Sequence, residues 1–400
     1  MRVLFLTNLY PPYVRGGAEY LGAQVVTELT QQGHQVAVVT SVPWQSVKKF
    51  KPELREEGGV SVYRYYPLNL YHYLTASKLL YPVRFLWQLI NLWNVHTSWV
   101  LRRIIREFKP ELAISFNLMG LGFNVPRVMA AFKLPHIHVL HDVQLLHPSG
   151  LFMWGESHRT FPMRAYQKIT RWLFQTVGTV ISPSAWLLEE HAQAGLFASS
   201  QRKVVPNPVP PFLATAHTKT TEPPLQLLYV GQFEIHKGVF WLVETFKKEM
   251  KQRNFVLHLV ALGQKPRVSE LKYMTEGDNR FVVHDLMTQT EIDGLYQSSH
   301  LSILPSLCYE NSPTAITKSL SAGTPVLAVN LGGIPEMVTE GETGWLYQAG
   351  NKADFAKKLN WCLKHPAELL QVGLIGSRVF AERTLERYTR ELIGSSVQEH

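Results

Sequence analysis

The chain of 400 residues is 46% hydrophobic and 18% charged, which excludes a disordered protein and allows a sizeable buried core. Its two cysteines, Cys308 and Cys362, are too few for a disulfide framework and favour a reducing cytoplasm. A net charge of +9, without a dense Lys/Arg run or a recognition motif, argues against a nucleic-acid partner.

The first half of the chain predicts alternating strands and helices. The opening run, residues 2–7, is too short for the hydrophobic region of a signal peptide and predicts a buried strand. A predicted helix over 18–32 ends at Gly33, and the next strand covers 35–40. This order predicts a right-handed βαβ unit with a parallel sheet. Further strands are predicted at 112–116, 137–141, 179–182 and 203–205.

Residues 78–109 combine basic and aromatic side chains. The window holds six Lys/Arg residues, three tryptophans and one acid, Glu107. Pro82 and Arg84 interrupt its apolar run and argue against a membrane-spanning helix. Two interpretations follow: an amphipathic helix packed on its own domain, which we favour, and an interfacial helix at the inner face of an anionic membrane. The apolar residues at helical spacing are Leu86, Ile90, Trp93, Val100, Ile104 and Phe108.

A proline-rich stretch at 206–224 predicts a connection between two domains. We predict an α/β fold of two Rossmann-like, doubly wound domains facing across a cleft. The first covers residues 1–206, the linker 207–224 and the second domain 225–375, while residues 376–400 form a helical segment that packs back toward the first domain. Within the second domain, strands are predicted at 225–231, 254–263, 301–306 and 325–329, and helices at 239–251 and 290–299.

The segment from Glu310 to Val338 carries the strongest functional signal. It predicts a loop, a helix, a short strand and a Gly-Gly-x-Pro-Glu loop. Pro313 fits the first helical turn, and the free amides around it would form an anion site. Gly332 and Gly333 allow the backbone to approach a ligand closely. Together with the Glu310 carboxylate, these features suit a nucleotide diphosphate that carries a neutral, hydroxyl-rich group.

Two glycine turns lie where predicted strands meet helices. Gly16 and Gly17 can bring backbone amides to a phosphate, although they lack the GxGxxG spacing of a dinucleotide site. Lys237, in VGQFEIHKG at 230–238, can place an ammonium on a diphosphate at the carboxyl end of its strand.

Three histidines lie on or beside one predicted strand. His136 and His138 share one face while His141 points to the other, so their spacing argues against a metal site. His141, followed by Asp142 at the end of the strand, is better interpreted as a residue that hydrogen-bonds sugar hydroxyls.

Together these motifs resemble the retaining, nucleotide-sugar-dependent glycosyltransferases of family 4, the glycosyl transferases group 1, which have a two-Rossmann B fold. The similarity covers most of the chain, and the motifs stand in the family's order. The matching motifs are RGGAE at 15–19, LHD at 140–142, ISPS at 181–184, VPNPV at 205–209, VGQFEIHKG at 230–238, the run from Glu310 to Val338 and GETGWLY at 341–347.

The resemblance implies an enzyme that moves a sugar from a nucleotide diphosphate-sugar to a hydroxyl of a lipid-linked or polysaccharide acceptor, with retention of the anomeric configuration. It implies no metal and no other cofactor, because Lys237, loop amides and helix N-termini stabilise the leaving diphosphate. The first domain would bind the acceptor and the second the donor, and His141 and Glu310 would be catalytic. The implied donor-binding residues are Gly16, Gly17, Gly231, Gln232, Lys237, Asn311, Ser312, Thr314, Lys318, Gly332, Gly333 and Glu336, with Val283, His284 and Leu286 at the nucleobase.

The chain departs from the family pattern at two positions. Gln232 stands where the family commonly has Arg. Lys318 stands where a second Glu accepts hydrogen bonds from the ribose, and an ammonium has no acceptor. The loss should weaken donor binding by about 1.5–3 kcal/mol. The enzyme would remain active if Lys318 instead met a phosphate or paired with Glu310.

Two other functions stay open. The first is a non-catalytic or degenerate nucleotide-sugar-binding protein, suggested by Lys318. The second is a nucleotide-sugar epimerase, for which His141 and Glu310 are the acid/base candidates. For the acceptor, Tyr13, Trp154 and the aromatic-rich region 66–100 offer a stacking surface on the first domain, although such residues are equally suited to a core.

Overall fold

The computed structural model describes residues 1–78, 80–157, 160–210, 219–251, 254–263 and 267–397. The chain forms two compact units. The first contains residues Met1–Leu151, Ser157–Pro206 and Leu385–His400, and the second Phe152–Glu156 and Asn207–Thr384. The predicted linker includes residues 211–218, which lie outside the described residues.

The first unit is built on an eight-stranded sheet in the order β3-β4-β2-β1-β5-β6-β7-β8. Its strands are parallel except for β3, which runs antiparallel to β4 at one edge. In chain order the elements are β1 (Arg2–Leu6), α1 (Gly17–Gln31), β2 (Gln35–Ser41), β3 (Glu53–Glu57), β4 (Val60–Tyr65), α2 (Tyr81–Leu92), α3 (Val95–Phe108), β5 (Leu112–Ser115), α4 (Val125–Ala131), β6 (His136–Val139), α5 (Phe161–Phe174), β7 (Thr179–Ser182), α6 (Ala185–Gln193) and β8 (Gln201–Val204).

The second unit is built on a six-stranded sheet in the order β11-β10-β9-β12-β13-β14, parallel throughout. Its central strands are short and apolar, as strands covered by helices on both faces require. The elements are β9 (Leu225–Gly231), α7 (Val239–Glu249), β10 (Phe255–Ala261), α8 (Val268–Thr275), β11 (Phe281–His284), α9 (Gln289–Ser298), β12 (Leu301–Leu304), α10 (Thr314–Ser321), β13 (Val326–Asn330), β14 (Gly344–Gln348), α11 (Lys352–Lys364) and α12 (Pro366–Ala381).

The last helix, α13 (Leu385–Val397), belongs to the first unit. Tyr388, Leu392 and Ile393 are buried in that unit's apolar core. The side-chain amide of Gln32, at the end of α1, donates to the Thr389 hydroxyl at 2.9 Å. The segment that joins the first unit therefore begins at Leu385, and residues 376–384 stay with the second unit.

Two parallel α/β units confirm the predicted fold class. The basic and aromatic window at 78–109 proves to be two helices, because Asn94 caps a new helix by accepting a hydrogen bond from the Thr97 amide at 2.9 Å. Trp154 was expected on the first domain, and this placement is wrong. Its amide donates to the Leu307 carbonyl at 2.9 Å and its ring lies against Gly350, both in the second unit. Across the described helices, none combines the length and hydropathy that crossing a bilayer demands.

Candidate functional site

The strand order of the second sheet changes direction at β9, whose neighbours are β10 and β12. In open α/β sheets, ligands bind outside the carboxyl ends of the strands at such a point. The loop after β9 carries Lys237 and the loop after β12 carries Glu310. The fold therefore places these two predicted site residues at the edge of the sheet where a ligand is expected.

Lys237 and Glu310 form a direct ion pair. The Lys237 ammonium lies 2.6 Å from Glu310 Oε1, and the Ser306 hydroxyl donates to the same oxygen at 2.9 Å. Ser306 was not predicted, although it lies just after β12 in the same loop as Glu310. Both charged side chains are largely buried, so removing either one would leave the other as an uncompensated charge.

The charge states of the pair follow from competing effects. Burial alone would raise the pKa of Glu310, but the charge of Lys237 and hydrogen bonds from Lys237 and Ser306 hold it below its ordinary value. Burial alone would lower the pKa of Lys237, but the Glu310 carboxylate outweighs it and raises this pKa. At neutral pH the site therefore presents an ammonium held in place by a carboxylate.

The predicted glycine loop is joined to Glu310 through the backbone. The Gly333 amide donates to the Glu310 carbonyl at 2.8 Å. Gly332 has a φ of 65°, and a Cβ at this position would lie 2.4 Å from the Glu310 carbonyl oxygen. Only glycine fits there, because both the left-handed backbone and the close contact exclude a side chain.

The turn before α10 differs from the prediction in one respect. Pro313 lies immediately before the helix as its N-cap residue, not in the first turn. The predicted phosphate-binding amides of Asn311, Ser312 and Thr314 therefore bracket the helix start, and Thr314 is exposed. Anion binding by this turn stays a prediction.

Gly231 and Gln232 lie at the carboxyl end of β9 and are half-buried. The Tyr229 hydroxyl donates to the Gln232 carbonyl at 2.9 Å, which fixes the backbone of this turn. Glu336 lies in a short 3-10 turn at Ile334–Glu336, after β13, and is exposed. Their roles in donor binding stay predictions.

Lys318 does not pair with Glu310, so that part of the sequence interpretation is wrong. Its ammonium lies 3.3 Å from Asp293 Oδ1, a buried carboxylate on α9. The Gln289 side-chain amide donates to the same oxygen at 2.6 Å. Lys318 thus balances a buried charge between two helices. Asp293 could not be predicted as its partner, since the two residues are 25 positions apart in the sequence.

The predicted nucleobase residues lie at the end of the edge strand β11 and just beyond it. Val283 packs partly against the core, His284 is half-buried and Leu286 is exposed. His284 Nε2 lies 2.9 Å from His258 Nδ1, and the two rings are stacked. Contact of these residues with a base stays a prediction.

In the first unit, Gly16 and Gly17 start the helix that follows β1. Gly16 is the N-cap, and its amide donates to the Glu19 carboxylate at 2.8 Å. Glu19 is buried, and burial raises its pKa. A buried acid therefore already contacts an amide that the resemblance assigns to the donor diphosphate.

His141 and Asp142 follow β6 in the first unit. The His141 ring packs on Phe116 with 4.6 Å between ring centroids, and burial lowers its pKa to about 4. The imidazole is therefore neutral at pH 7 and suited to hydrogen bonds with hydroxyls. Burial, with a smaller effect from the Glu19 charge, raises the pKa of Asp142 to about 7. Asp142 was singled out only as a neighbour, and its environment marks it as a candidate functional acid.

The paired histidines of β6 have a structural role. Ser115 Oγ on β5 lies 2.7 Å from His136 Nε2 and 2.8 Å from His138 Nδ1, and both rings are buried. In the described part of the chain, no three His, Cys, Asp or Glu side chains come together as a metal site requires. The expectation that the reaction needs no metal stays a prediction.

Comparison with known proteins agrees with this geometry. The Klebsiella pneumoniae "uncharacterized 42.6 kDa protein in cps region" is 26% identical over 84% of this chain and 87% of its own. The Mycobacterium tuberculosis glycogen synthase is 23% identical over 92% of this chain and 87% of its own. The crystal structure of Anabaena HepE in complex with UDP-glucose has a TM-score of 0.66 at 17% identity, covering 99% of both chains.

Two family models account for most of the sequence. Residues 224–365 match the glycosyl transferases group 1 model, and residues 15–208 match the glycosyl transferase 4-like domain. The first match contains the Lys237–Glu310 pair and the second contains Gly16, Gly17 and His141. The chain therefore belongs to the glycosyl transferases group 1, with a glycosyl transferase 4-like first domain and the two-domain B fold of these enzymes.

Proposed function

We propose that the protein transfers a sugar from a nucleotide diphosphate-sugar to a hydroxyl of a polysaccharide or lipid-linked acceptor, with retention of configuration. The observation that carries this proposal is the Lys237–Glu310 pair, tied through the Glu310 backbone to the Gly332–Gly333 turn. A diphosphate needs positive charge, while a transferred sugar needs acceptors for its hydroxyls. The Lys237 ammonium and the Glu310 carboxylate offer both within one unit.

The proposed reaction breaks the glycosyl–phosphate bond of the donor and forms a glycosidic bond to the acceptor. The acceptor hydroxyl attacks the anomeric carbon on the face from which the diphosphate leaves, and its proton passes to a departing phosphate oxygen. Lys237 and the amides of the α10 turn stabilise the negative charge that develops on the diphosphate. Glu310 keeps the Lys237 ammonium in position before the donor binds, and then accepts hydrogen bonds from the sugar. The resemblance assigns Gly17 and His141 to the same donor.

The donor and acceptor classes draw on the relatives. HepE was solved with UDP-glucose, which supports a uridine nucleotide as the first donor to test. The glycogen synthase of M. tuberculosis is named for polysaccharide formation, which supports a glycan acceptor. A lipid-linked acceptor would place the enzyme at the inner face of an anionic membrane. Two free, buried cysteines support a reducing compartment.

A non-catalytic nucleotide-sugar-binding protein is the second candidate. Lys318 supports it, because its ammonium is engaged with Asp293 and offers no acceptor to a ribose. Binding without transfer would follow if the donor were held too loosely or at the wrong angle.

Thermal shift with UDP-, GDP- and ADP-sugars tests the donor, because a ligand of the folded state raises the melting temperature. We expect the largest rise with UDP-glucose.

Release of UDP in the presence of membrane extract then tests transfer. Lys237→Met should lower the release rate by about a hundredfold, whereas Lys352→Met, which removes an ion pair with the exposed Glu244, should leave it near wild type. Binding without release would favour the second candidate, and a new nucleotide-sugar formed without acceptor would favour an epimerase.

A further inference from the structure

Helix α2 buries two polar side chains beside Trp87 and Leu92, while a row of its apolar side chains faces solvent. Gln88 and Asn91 are 8% and 0% exposed, whereas Leu86, Leu89 and Trp93 are 50%, 46% and 47% exposed. The buried pair is held by hydrogen bonds, from Gln88 Nε2 to the Tyr166 hydroxyl at 2.9 Å and from the Gly120 amide to Asn91 Oδ1 at 2.6 Å. The first unit therefore packs on a mixed face of this helix and leaves an apolar stripe exposed.

Helix α5 continues this apolar surface. Gln88 contacts Tyr166, and the ring of Trp93, the residue after α2, stacks on Trp172 with 5.4 Å between centroids, so α2 and α5 meet at two places. We name this surface the α2–α5 face. Its exposed apolar side chains are Val83, Phe85, Leu86, Leu89, Trp93, Phe161, Ile169 and Trp172. Exposed apolar side chains that are contiguous on a surface mark an interaction site.

The charged side chains of α2 and α5 are all positive. Arg84, Arg164, Lys168 and Arg171 are exposed, and neither helix contains an acidic residue. On α5, Lys168 lies within one turn of Ile169 and Trp172, so ammonium and ring share a surface. This combination of tryptophan, phenylalanine and leucine with a rim of cations is typical of helices that lie in a membrane interface.

The charge selects among the occupants of this face. A second copy of the chain would bring the same cations against one another, and the centre of a protein interface is depleted of charge. An anionic lipid surface offers phosphate to the cations and acyl chains to the apolar stripe. No described helix spans a bilayer, so contact would be made from one side. We propose that the α2–α5 face docks onto the surface of an anionic bilayer, with Leu86, Leu89 and Phe161 at the boundary between headgroups and acyl chains.

This proposal divides the window 78–109 between the two interpretations given for it in the sequence analysis. The favoured interpretation, packing on the same domain, holds for α3, where Val100 and Ile104 are fully buried. It fails for α2. The assignment rests on the proposed function only for a membrane-bound acceptor, since the surface chemistry does not depend on the reaction.

Vesicle flotation of the full chain tests the proposal. The protein should float with vesicles of phosphatidylcholine that contain about one third phosphatidylglycerol, and not with phosphatidylcholine alone. Leu86→Gln with Leu89→Gln should weaken binding about tenfold or more. The matched control is Leu374→Gln, an exposed leucine on α12 of the second unit, which should bind like wild type.

A second pair of variants tests the positive charges. Arg164→Gln with Lys168→Gln should weaken vesicle binding and reduce its salt dependence. The control, Lys357→Gln with Lys364→Gln on α11, should change neither.

Three outcomes would overturn the proposal. One is equal flotation on neutral and anionic vesicles, and another is unchanged binding by Leu86→Gln with Leu89→Gln. The third is a dimer in sedimentation that this double variant dissociates without any vesicle binding, which would assign the face to a second copy. Transfer to a soluble acceptor separates this test from the proposed function, because the variant should lose flotation and retain transfer.

Discussion

Glu310 is a buried acid whose charge depends on one neighbour. Its pKa lies below the ordinary value of 4.5 because Lys237 and Ser306 outweigh the effect of burial. A carboxyl group with a depressed folded pKa contributes stability above its unfolded pKa, and this contribution is lost as the pH falls through the folded pKa. The ion pair should therefore support the second unit fully at neutral pH and progressively less below pH 4.5.

Lys237→Met should raise the pKa of Glu310 above 4.5, because burial then acts without an opposing cation. The variant should also lose about 2 kcal/mol of stability at neutral pH, and the loss should shrink as the pH falls below 4.5. Carbon NMR of the Glu310 carboxyl measures the first effect, and urea denaturation at several pH values measures the second. Lys272→Met serves as the control, since its ion pair is exposed. An unchanged Glu310 titration in Lys237→Met would show that the pair does not set this charge.

Lys318 adds a second prediction at the level of single residues. Lys318→Glu alone would place a carboxylate beside the buried Asp293, so it should destabilise the protein as well as change the donor site. The combination with Asp293→Asn removes this conflict and keeps an oxygen for the Gln289 amide. We expect Lys318→Glu with Asp293→Asn to bind UDP about ten- to a hundredfold more tightly than wild type, since the ribose regains an acceptor.

Isothermal titration calorimetry with UDP measures this change. The control is Lys318→Met with Asp293→Asn, which removes the same charges without adding an acceptor and should bind UDP no more tightly than wild type. If both double variants have the affinity of wild type, position 318 does not contact the ribose.

At the scale of elements, the functional loops depend on glycines that permit close packing of the backbone. Gly332 combines a φ of 65° with a contact of 2.4 Å between an added Cβ and the Glu310 carbonyl oxygen. Gly341 offers a matched comparison, because it has a φ of 78° and open space where a Cβ would lie. The two positions separate backbone strain from steric displacement.

Gly341→Ala should cost about 1 kcal/mol, from the left-handed backbone alone. Gly332→Ala should lose more stability than Gly341→Ala and should also displace Glu310. The affinity of the Gly332→Ala protein for UDP-glucose should therefore fall by about tenfold or more. Urea denaturation and calorimetry of both variants measure the two effects. Equal losses of stability with unchanged binding would mean that the Gly332 turn is not part of the donor site.

Elements with a local signal could be predicted from the sequence, and those defined by distant contacts could not. The strands β9 and β12 have apolar runs bounded by turns, so their positions and the loops that carry Lys237 and Glu310 followed from the sequence. The strand β3 is Glu-rich and exposed, and it becomes a strand only by pairing with β4. Asn94, a residue type typical of an N-cap, indicates the start of α3, but hydrophobic periodicity alone does not show this boundary.

The candidate site shows the same division. The roles expected of Gly332 and Lys237 rested on motifs within a few residues of each. The partner of Lys318 lies on another helix, and Trp154 joins the second unit through a strand bridge between Met153 and Cys308. Such pairings depend on chain segments brought together by the fold, and no spacing in the sequence specifies them.

At the scale of the whole molecule, each unit has its own apolar core, and α13 returns the end of the described chain to the first one. Leu392 on α13 is fully buried in that core together with Tyr388. Truncating a buried leucine costs about 2–5 kcal/mol, whereas an exposed one costs little. The stability of the first unit should therefore depend on a helix that the sequence places after the second.

Leu392→Ala should destabilise the first unit and leave the second near wild type. Hydrogen exchange measures this by peptide, because a chain with two units has no single unfolding free energy. Exchange should rise in peptides from Met1–Leu151 and stay unchanged in those from β9 to α12. Leu374→Ala, at a 60% exposed site on α12, is the control and should change neither.

UDP should still protect the second unit in Leu392→Ala, because the Lys237–Glu310 site lies wholly within it. Loss of this protection would mean that donor binding requires an intact first unit, as the assignment of Gly17 and His141 to the donor implies.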